Sequence, residues 1–393
     1  MALGIIAEKR QPHVAIFNCA EHGHVNPTLG MVKELVARGY RVSYTTSAEF
    51  APLVTACGAL PVLFEPTFSK EKPRPEDMGH VVIELAKEAR ATYRGLAEKF
   101  EHDRPDIIAY GPLSWLGKIF SYLWNIPSVA LNPTHAGYQG QSQEWLGLNH
   151  TSWPCIPILE AMLKENSQQL PLESILSKHE NTIAFIPRSF QEKPETVDQN
   201  VLFVGPEITG RTFCSRWRRK QTERPIIVVS LGSVYTNQPD FFKTCIAAFS
   251  GTEWHVILTI GRYVKPEQLG IIPDNIEIHS HIPQLEALQS AALFITHAGM
   301  NSVMEAVHFG VPMIAIPQQA EQRVNARRIQ DLGLGKYLPR ETIDANSLRQ
   351  AVQEIMADPA YLKQLAHFQQ ELKQAGGAKA AVDLFDRIRI LSR

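Results

Sequence analysis

Residues 296–306 read THAGMNSVMEA, and how they are read decides the fold. An apolar run, AALFI, precedes them, and VHFGVPMIAIP follows. Two strand-like runs thus flank a segment that turns at a glycine and continues at helical spacing, the repeating unit of a parallel sheet. His297 falls at the carboxyl end of its strand, and Gly299 permits close backbone approach or an unusual φ. Asn301 and Ser302 fall in the first turn of the helix, where free N–H groups and the helix dipole favour an anion. Glu305, three residues after Ser302, shares its helix face. A carboxylate there can accept hydrogen bonds from a diol such as a ribose. The same residues also fit a capped helix start with a solvated Glu305.

Outward from this segment, strand-like runs alternate with helix-length stretches along the whole chain. In the first half they are 13–18, 41–46, 106–110, 127–132 and 182–187; in the second, 225–232, 254–260, 276–282, 293–298 and 313–317. They are short, rich in Val and Ile, and often bounded by Gly or Pro, as strands buried on both faces are. Two such sets in series predict an α/β protein of two doubly wound units. The joint falls around 205–225, a polar stretch bounded by prolines. The divisions expected are 1–210, 211–376 and a closing helix over 377–393. That helix carries Ala381, Leu384, Ile388 and Leu391 on one face and packs back on the first unit.

The 393 residues hold 44% hydrophobic and 20% charged side chains, enough apolar material for two cores. A formal net charge of −1 gives no global footprint for nucleic acid. The local basic run RWRRKQTER (216–224) reads as a solvated linker. The five cysteines are scattered, without zinc spacing, and fit a reduced, cytoplasmic protein. No stretch approaches the about 18 apolar residues of a membrane span, and the N-terminus lacks a secretory pattern.

In open α/β sheets ligands bind beyond the carboxyl ends of the strands, so two facing units share one cleft and the turns after strands carry the chemistry. LGSVYT (231–236) offers a backbone N–H and the Ser233 hydroxyl. HIPQLEAL (281–288) offers His281 to stack on a base and Gln284 to bond to it. QQAEQRVNARR (318–328) offers Glu321 and Gln322 to sugar hydroxyls. Each turn alone also reads as an ordinary loop or helix start; together, in one crevice, they describe one half of a nucleotide-sugar site. In the first unit, FNCAEHGHVNPTLG (17–30) places His22 and His24 after the first strand. An imidazole there can remove a proton from an acceptor hydroxyl, a contribution of roughly 10²–10⁴-fold.

The ordered set HIPQLEAL, THAGMNSVMEAVHFGVPMIAIPQ, EQ-x-x-NA and LGLG resembles the signature of the family 1 glycosyltransferases, and most closely the bacterial macrolide and flavonoid glucosyltransferases. The similarity runs over nearly the whole chain. It implies a GT-B fold, a C-terminal donor domain, an N-terminal acceptor domain, and inverting, metal-independent transfer from a UDP-sugar, with no cofactor. By this resemblance His297 meets the diphosphate with Ser233, Asn301 and Ser302 near it, Glu305 holds the ribose, Gln284 meets the uracil, and Glu321 and Gln322 meet the sugar. Where many relatives carry Trp this chain has His281, and where many carry Asp it has Glu321. The pattern GHxNP makes His24 the base.

One departure stands out. Relatives hold that histidine with an Asp after a later strand, and PDIIAYGPLSW (105–115) puts Gly111 there. Ser114 or a water can orient the ring instead, or the acceptor can be an acidic hydroxyl or an amine, or the enzyme can be slow. On this reading Gly111→Asp raises turnover on weakly acidic alcohols. The loops at 65–90 and 134–180 bring Phe68, Tyr138 and Trp145, among other aromatics, to a small, flat, lipophilic acceptor; satellite core is the other account of them. A nucleotide-sugar epimerase and a non-catalytic sugar-nucleotide binder are the alternative functions.

Overall fold

A computed structural model describes residues 10–67, 78–146, 153–177, 181–208 and 222–391. Among these residues thirteen strands form two wholly parallel sheets. The first holds β1 (His13–Phe17), β2 (Arg41–Thr46), β3 (Leu60–Leu63), β4 (Ile107–Tyr110), β5 (Ser128–Asn132), β6 (Asn181–Ala184) and β7 (Val201–Phe203), in the order β3-β2-β1-β4-β5-β6-β7. The second holds β8 (Ile226–Ser230), β9 (His255–Thr259), β10 (Ile276–His279), β11 (Ala291–Thr296), β12 (Met313–Ala315) and β13 (Gly335–Tyr337), in the order β10-β9-β8-β11-β12-β13. Each unit is a Rossmann-like domain with helices on both faces. Every residue of β1, β8 and β9 is buried, which is why these strands read as unbroken apolar runs.

The three strands that the apolar pattern does not predict are all at sheet edges. β3 reads LPVL: Pro61 has no N–H to give a second neighbour, and Leu60 and Leu63 remain exposed. β13 reads GKY, and a Cβ at Gly335 would run into the Met313 backbone of β12. Its glycine lets the last strand close on the sheet.

Strand order reverses between β1 and β4 in one sheet and between β8 and β11 in the other. These reversals are the topological switch points where open α/β sheets bind ligands. The loops that leave β1 and β4 carry His24 and Gly111; the loops that leave β8 and β11 carry Ser233 and His297.

The helix Ala360–Gln374 buries Leu365 and Phe368 against the helix Met300–Phe309 of the second domain. The chain then turns through Gly376 and Gly377, both at positive φ, and the helix Gly377–Leu391 crosses to the first domain. There Ala381, Val382, Leu384, Phe385 and Ile388 join a core with Met31, Val32 and Leu35 of the helix Leu29–Ala37. Leu391 does not share that face: it is 86% exposed, one turn past the last buried position. Arg38 pairs with Asp383 and Asp386, and the Tyr40 hydroxyl donates to Asp386 (2.7 Å). Cys19, Cys57, Cys155 and Cys245 are free thiols. Among the described residues no helix is long and apolar enough to cross a membrane. Residues 216–221 of the basic run, Phe68 and Cys214 lie outside the described residues.

Phe385 is fully buried where the last helix meets the first domain. Phe385→Ala should cost about 3–5 kcal/mol, the usual range for a large-to-small change in a core, in urea unfolding. Leu391→Ala should be within about 0.5 kcal/mol of the parent.

Candidate active site

The loop after β1 is held from below by Asn18. Its Nδ2 donates to the His24 carbonyl and to the Tyr44 hydroxyl, both at 2.9 Å, while its Oδ1 accepts from the Cys19 N–H at 3.0 Å. Thr28 Oγ1 donates to the Val25 carbonyl (2.8 Å) and lies 2.8 Å from the same Tyr44 hydroxyl. The His24 main chain is therefore clamped. Its ring is not: Nδ1 is buried with no hydrogen-bond partner among the described residues. Burial pulls the imidazole down to about 4, so the ring is neutral near pH 7 and keeps a lone pair for a proton.

Gly111 has a concrete cause. A Cβ at this position would run into Asn18 Oδ1. The carboxamide of Asn18 fills the space in which a side chain at 111 would begin, and it faces the His24 main chain rather than the ring. Ser114 does not orient the ring either: its hydroxyl engages the buried Cys19 thiol. His22 is exposed, edge-on to Phe50 at 4.8 Å.

Across the cleft, β11 runs out at Thr296 into His297 and Ala298, the latter at φ 61, before the helix Met300–Phe309. A Cβ at Gly232, itself at φ 81, would lie 2.7 Å from the His297 ring, and a Cβ at Gly299 would collide with Nε2. The imidazole is thus slotted between two glycines. Burial holds it near pKa 4, with the Ser230 carbonyl opposing. The helix start has no side-chain cap and no acidic residue in its first turn, so its N–H groups and dipole are left for an anion. Ser233 is exposed beside it.

Three of the predicted donor residues form one cluster. Gln284 Nε2 donates to Ser302 Oγ (3.0 Å) and to Glu305 Oε2 (2.7 Å), and Ser302 and Glu305 are both buried. His281 is exposed nearby and, with Arg262, lies close enough to His22 across the cleft to oppose its protonation; desolvation of the His22 ring by the groups around it is the larger cause of its lowered pKa, and Glu49 opposes the fall. Asn301 behaves differently from expectation. Its side-chain amide reaches over the cleft toward the carbonyls of His22 (3.3 Å) and Gly23 (3.5 Å).

The turn before the helix Ala320–Asp331 brings the two domains together. Glu321 Oε1 accepts from Thr134 Oγ1 of the first domain (2.8 Å) and from Asn325 Nδ2 (2.7 Å). Burial raises the Glu321 pKa, and these two donors oppose the rise. Gln322 Oε1 accepts from the Gln318 N–H (2.8 Å) and so braces the turn; Gln318 Oε1 is buried without a partner among the described residues.

Tyr138 and Trp145 are placed otherwise than the sequence suggests. Tyr138 is 5% exposed, its ring in the apolar cluster shared by the two domains. Its hydroxyl donates to Glu144 and accepts from Trp145 Nε1, and Glu144 pairs with Arg327 of the second domain. Both rings serve the junction between domains, because the segment after β5 folds toward the helix Ala320–Asp331. Asn18, Thr134, His135 and Asn325 are site-building residues that the sequence reading leaves unnamed. Asn325 alone had a local signal, four residues after Glu321 on one helix face. Among the described residues no three His, Cys, Asp or Glu side chains group as a metal site.

Two facing Rossmann-like domains with these loops at their switch points define the GT-B class of sugar-transferring enzymes. The comparisons with known proteins agree. Residues 244–378 match the family described as erythromycin biosynthesis protein CIII-like, C-terminal domain. The NDP-glycosyltransferase YjiC of Bacillus licheniformis is 37% identical over 390 residues, spanning 94% of this chain and 96% of that protein. The oleandomycin glycosyltransferase of Streptomyces antibioticus is 35% identical over 387 residues, spanning 95% and 90%. The crystal structure of CalG4, the calicheamicin glycosyltransferase, superposes with a TM-score of 0.82 at 31% identity, covering 97% of this chain and 98% of that one. The chain belongs to the bacterial macrolide subgroup of the family 1 glycosyltransferases and is a nucleotide-sugar-dependent glycosyltransferase. Neither the epimerase nor the non-catalytic alternative is favoured by these likenesses.

Because the His297 ring is slotted against Gly299, Gly299→Ala should weaken UDP binding on the order of tenfold, from an overpacking cost of about 1–3 kcal/mol. Titration calorimetry measures it. Gly95→Ala, on a helix face with open space around it, should leave the affinity unchanged.

Proposed function

We propose that the protein transfers a hexose, glucose in the simplest case, from a UDP-sugar to the hydroxyl of a small lipophilic acceptor with inversion at the anomeric carbon, His24 serving as general base. The observation that carries this reading is the approach of Asn301 to the His22 and Gly23 carbonyls. It sets the loop of the neutral imidazole directly against the helix start where a diphosphate would lie.

In this reading His297, Ser233 and the N–H groups of the helix Met300–Phe309 take the diphosphate. Glu305 accepts from the ribose, Gln284 from its place beside Glu305 meets the base, His281 stacks on it, and Glu321 and Gln322 face the sugar. No metal or cofactor is assigned a part, because the helix terminus supplies the positive potential that the departing UDP needs. His24 takes the acceptor proton as the acceptor oxygen attacks the anomeric carbon from the face opposite the nucleotide. The bond to the diphosphate breaks, and UDP leaves with the electron pair.

Among the described residues no acid acts on the His24 ring, and this sets the acceptor class. A buried imidazolium with no anionic partner is costly, so proton transfer is favourable only to the extent that the acceptor is itself acidic. Phenolic hydroxyls fit this base better than aliphatic alcohols do. The natural-product substrates named for its relatives, oleandomycin among them, are the chemical neighbourhood in which the acceptor is sought.

His24→Ala should lower kcat for a phenol acceptor by roughly 10²–10⁴-fold and leave the UDP Kd within about twofold. UDP release from UDP-glucose and dTDP-glucose with a phenol panel is the assay, and unchanged turnover in the variant would refute the base. The acid limb of kcat/KM should fall near pH 4, not near 6.5: the ring stays unprotonated, and active, until the pH drops to its lowered pKa.

Gly111→Asp alone should damage the enzyme, since its Cβ meets Asn18 Oδ1. Asn18→Gly combined with Gly111→Asp removes that obstacle. It should move the acid limb upward and raise turnover on aliphatic alcohols relative to phenols, as measured by initial rates across both acceptor classes.

A further inference from the structure

Glu321 sits between two domains, and the group that determines its setting lies in the domain that does not carry it. His135, just after β5, is 2% exposed and stacked on Phe190, ring centroids 5.9 Å apart. The Glu192 N–H donates to His135 Nδ1 at 3.1 Å. A backbone amide can only donate, so Nδ1 carries no proton. The ring is neutral, since burial drives its pKa down to about 3, and its one proton is therefore on Nε2.

That assignment propagates. Nε2–H must donate to the atom 3.0 Å away, Asn325 Oδ1. The carboxamide of Asn325, itself fully buried, then has only one orientation: its NH₂ faces the other way and donates to the Ala298 carbonyl (2.8 Å) and to Glu321 Oε1 (2.7 Å). Thr134, the neighbour of His135, donates to the same carboxylate oxygen. Among the described residues both donors to Glu321 fall on Oε1, which leaves Oε2 for a ligand hydroxyl. The segment that bears His135 is fixed in turn by Gln191, whose Oε1 accepts from the Ala136 N–H (2.9 Å) and whose Nε2 donates to the Ala136 and Glu192 carbonyls.

We infer that His135 is a positioning residue for the sugar subsite: through the Asn325 carboxamide it orients Glu321, so that the first domain, which binds the acceptor, also sets how the second holds the donor sugar. The inference rests on the sugar contact assigned to Glu321 above. It adds that the subsite is complete only when both domains are in place. A structural histidine predicts something else: loss of stability, with affinity for every ligand falling together or not at all.

The experiment compares UDP with UDP-glucose, which differ by the sugar alone. Wild type, His135→Phe, His135→Gln, Thr134→Val and Glu321→Gln are titrated with each ligand by calorimetry. Phe keeps the stacking on Phe190 and removes the N–H; Gln restores a donor near the Nε2 position; Thr134→Val removes the other donor without touching the ring. His135→Phe should bind UDP within about twofold of wild type and UDP-glucose on the order of tenfold more weakly, the size of one misdirected hydrogen bond to a charged group. Thr134→Val should shift in the same selective direction, and His135→Gln should recover most of the loss. The double variant His135→Phe with Glu321→Gln should be no worse than Glu321→Gln alone, because residues acting through one group are not additive. Equal weakening of both ligands in His135→Phe, or additive losses in the double variant, would overturn the relay. A selective loss in Glu321→Gln with none in either first-domain variant also overturns it while sparing the sugar contact. If Glu321→Gln binds both ligands as wild type does, the sugar contact itself is wrong and the relay falls with it.

Discussion

The active site depends on a single apolar cluster that does not respect the boundary between the sheets. Ala184, Ile186, Phe190 and Val197 of the first domain pack with Ile226, Val228 and Phe294 of the second sheet and with Met300, Val303 and Met304 of the adjoining helix. Each large side chain buried in this way contributes about 1.5–3 kcal/mol relative to exposure, and the cluster is continuous, so the two switch points face each other by construction. The polar contacts over the cleft, Asn301 toward His22 and Thr134 to Glu321, are weak taken singly. They are aligned because the apolar packing has already placed their backbones. The last two helices add to this arrangement, one on each domain, and tie the end of the chain across the junction.

Within that frame, electrostatics at the site is handled with dipoles rather than fixed charges. Two imidazoles, His24 and His297, are each buried enough to stay neutral, and His297 faces a helix start that carries no acidic residue. A neutral ring and a row of backbone N–H groups are suited to stabilise a departing diphosphate, as the proposed reading requires, without the strong ground-state ion pair that would hold a nucleoside diphosphate product in place. If His24 is the base, as proposed, the arrangement has a corresponding weakness on the acceptor side, where the same neutrality suits the ring poorly to an ordinary alcohol. Asn18 and Gly111 are one feature in this respect: the carboxamide that clamps the His24 main chain occupies the space an acid at 111 would need.

The strands at the centre of each sheet were legible in the sequence because burial on both faces leaves unbroken apolar runs that nothing else in the chain imitates. The edge strands β3, β7 and β13 were not, since a short strand with one neighbour needs neither length nor a repeating apolar pattern, and Pro61 and Gly335 argue locally against a strand. The same division holds at the site. His297, Gly299, Ser302 and Glu305 lie within one turn and helix, and their nearness can be read from their spacing. The first-domain partners of the Glu321–Asn325 pair and the partner of His24 could not be found that way. His135 and Asn325 are 190 residues apart, and Asn18 meets Gly111 only because β1 and β4 are neighbours in the sheet. Tyr138 and Trp145 show the converse error: aromatic residues in a long segment after a strand fit a ligand wall and a domain junction equally well, and only packing chooses.

A carboxylate that takes its hydrogen bonds from both domains has a consequence for the order of events. With the domains apart, Glu321 would keep Asn325 but lose Thr134, and Asn325 would lose the donor that orients it. A donor sugar would then meet a carboxylate with no defined direction. With the domains together, the oxygen left for the proposed sugar contact is fixed, and the His24 loop lies against the start of the helix Met300–Phe309, to which the diphosphate is assigned in the proposed reading. On the proposed reading, the contacts assigned to the sugar and those that bring up the proposed base therefore form together. Coupling of this kind disfavours hydrolysis, since a donor bound before the domains meet is held without the geometry that activates an attacking oxygen.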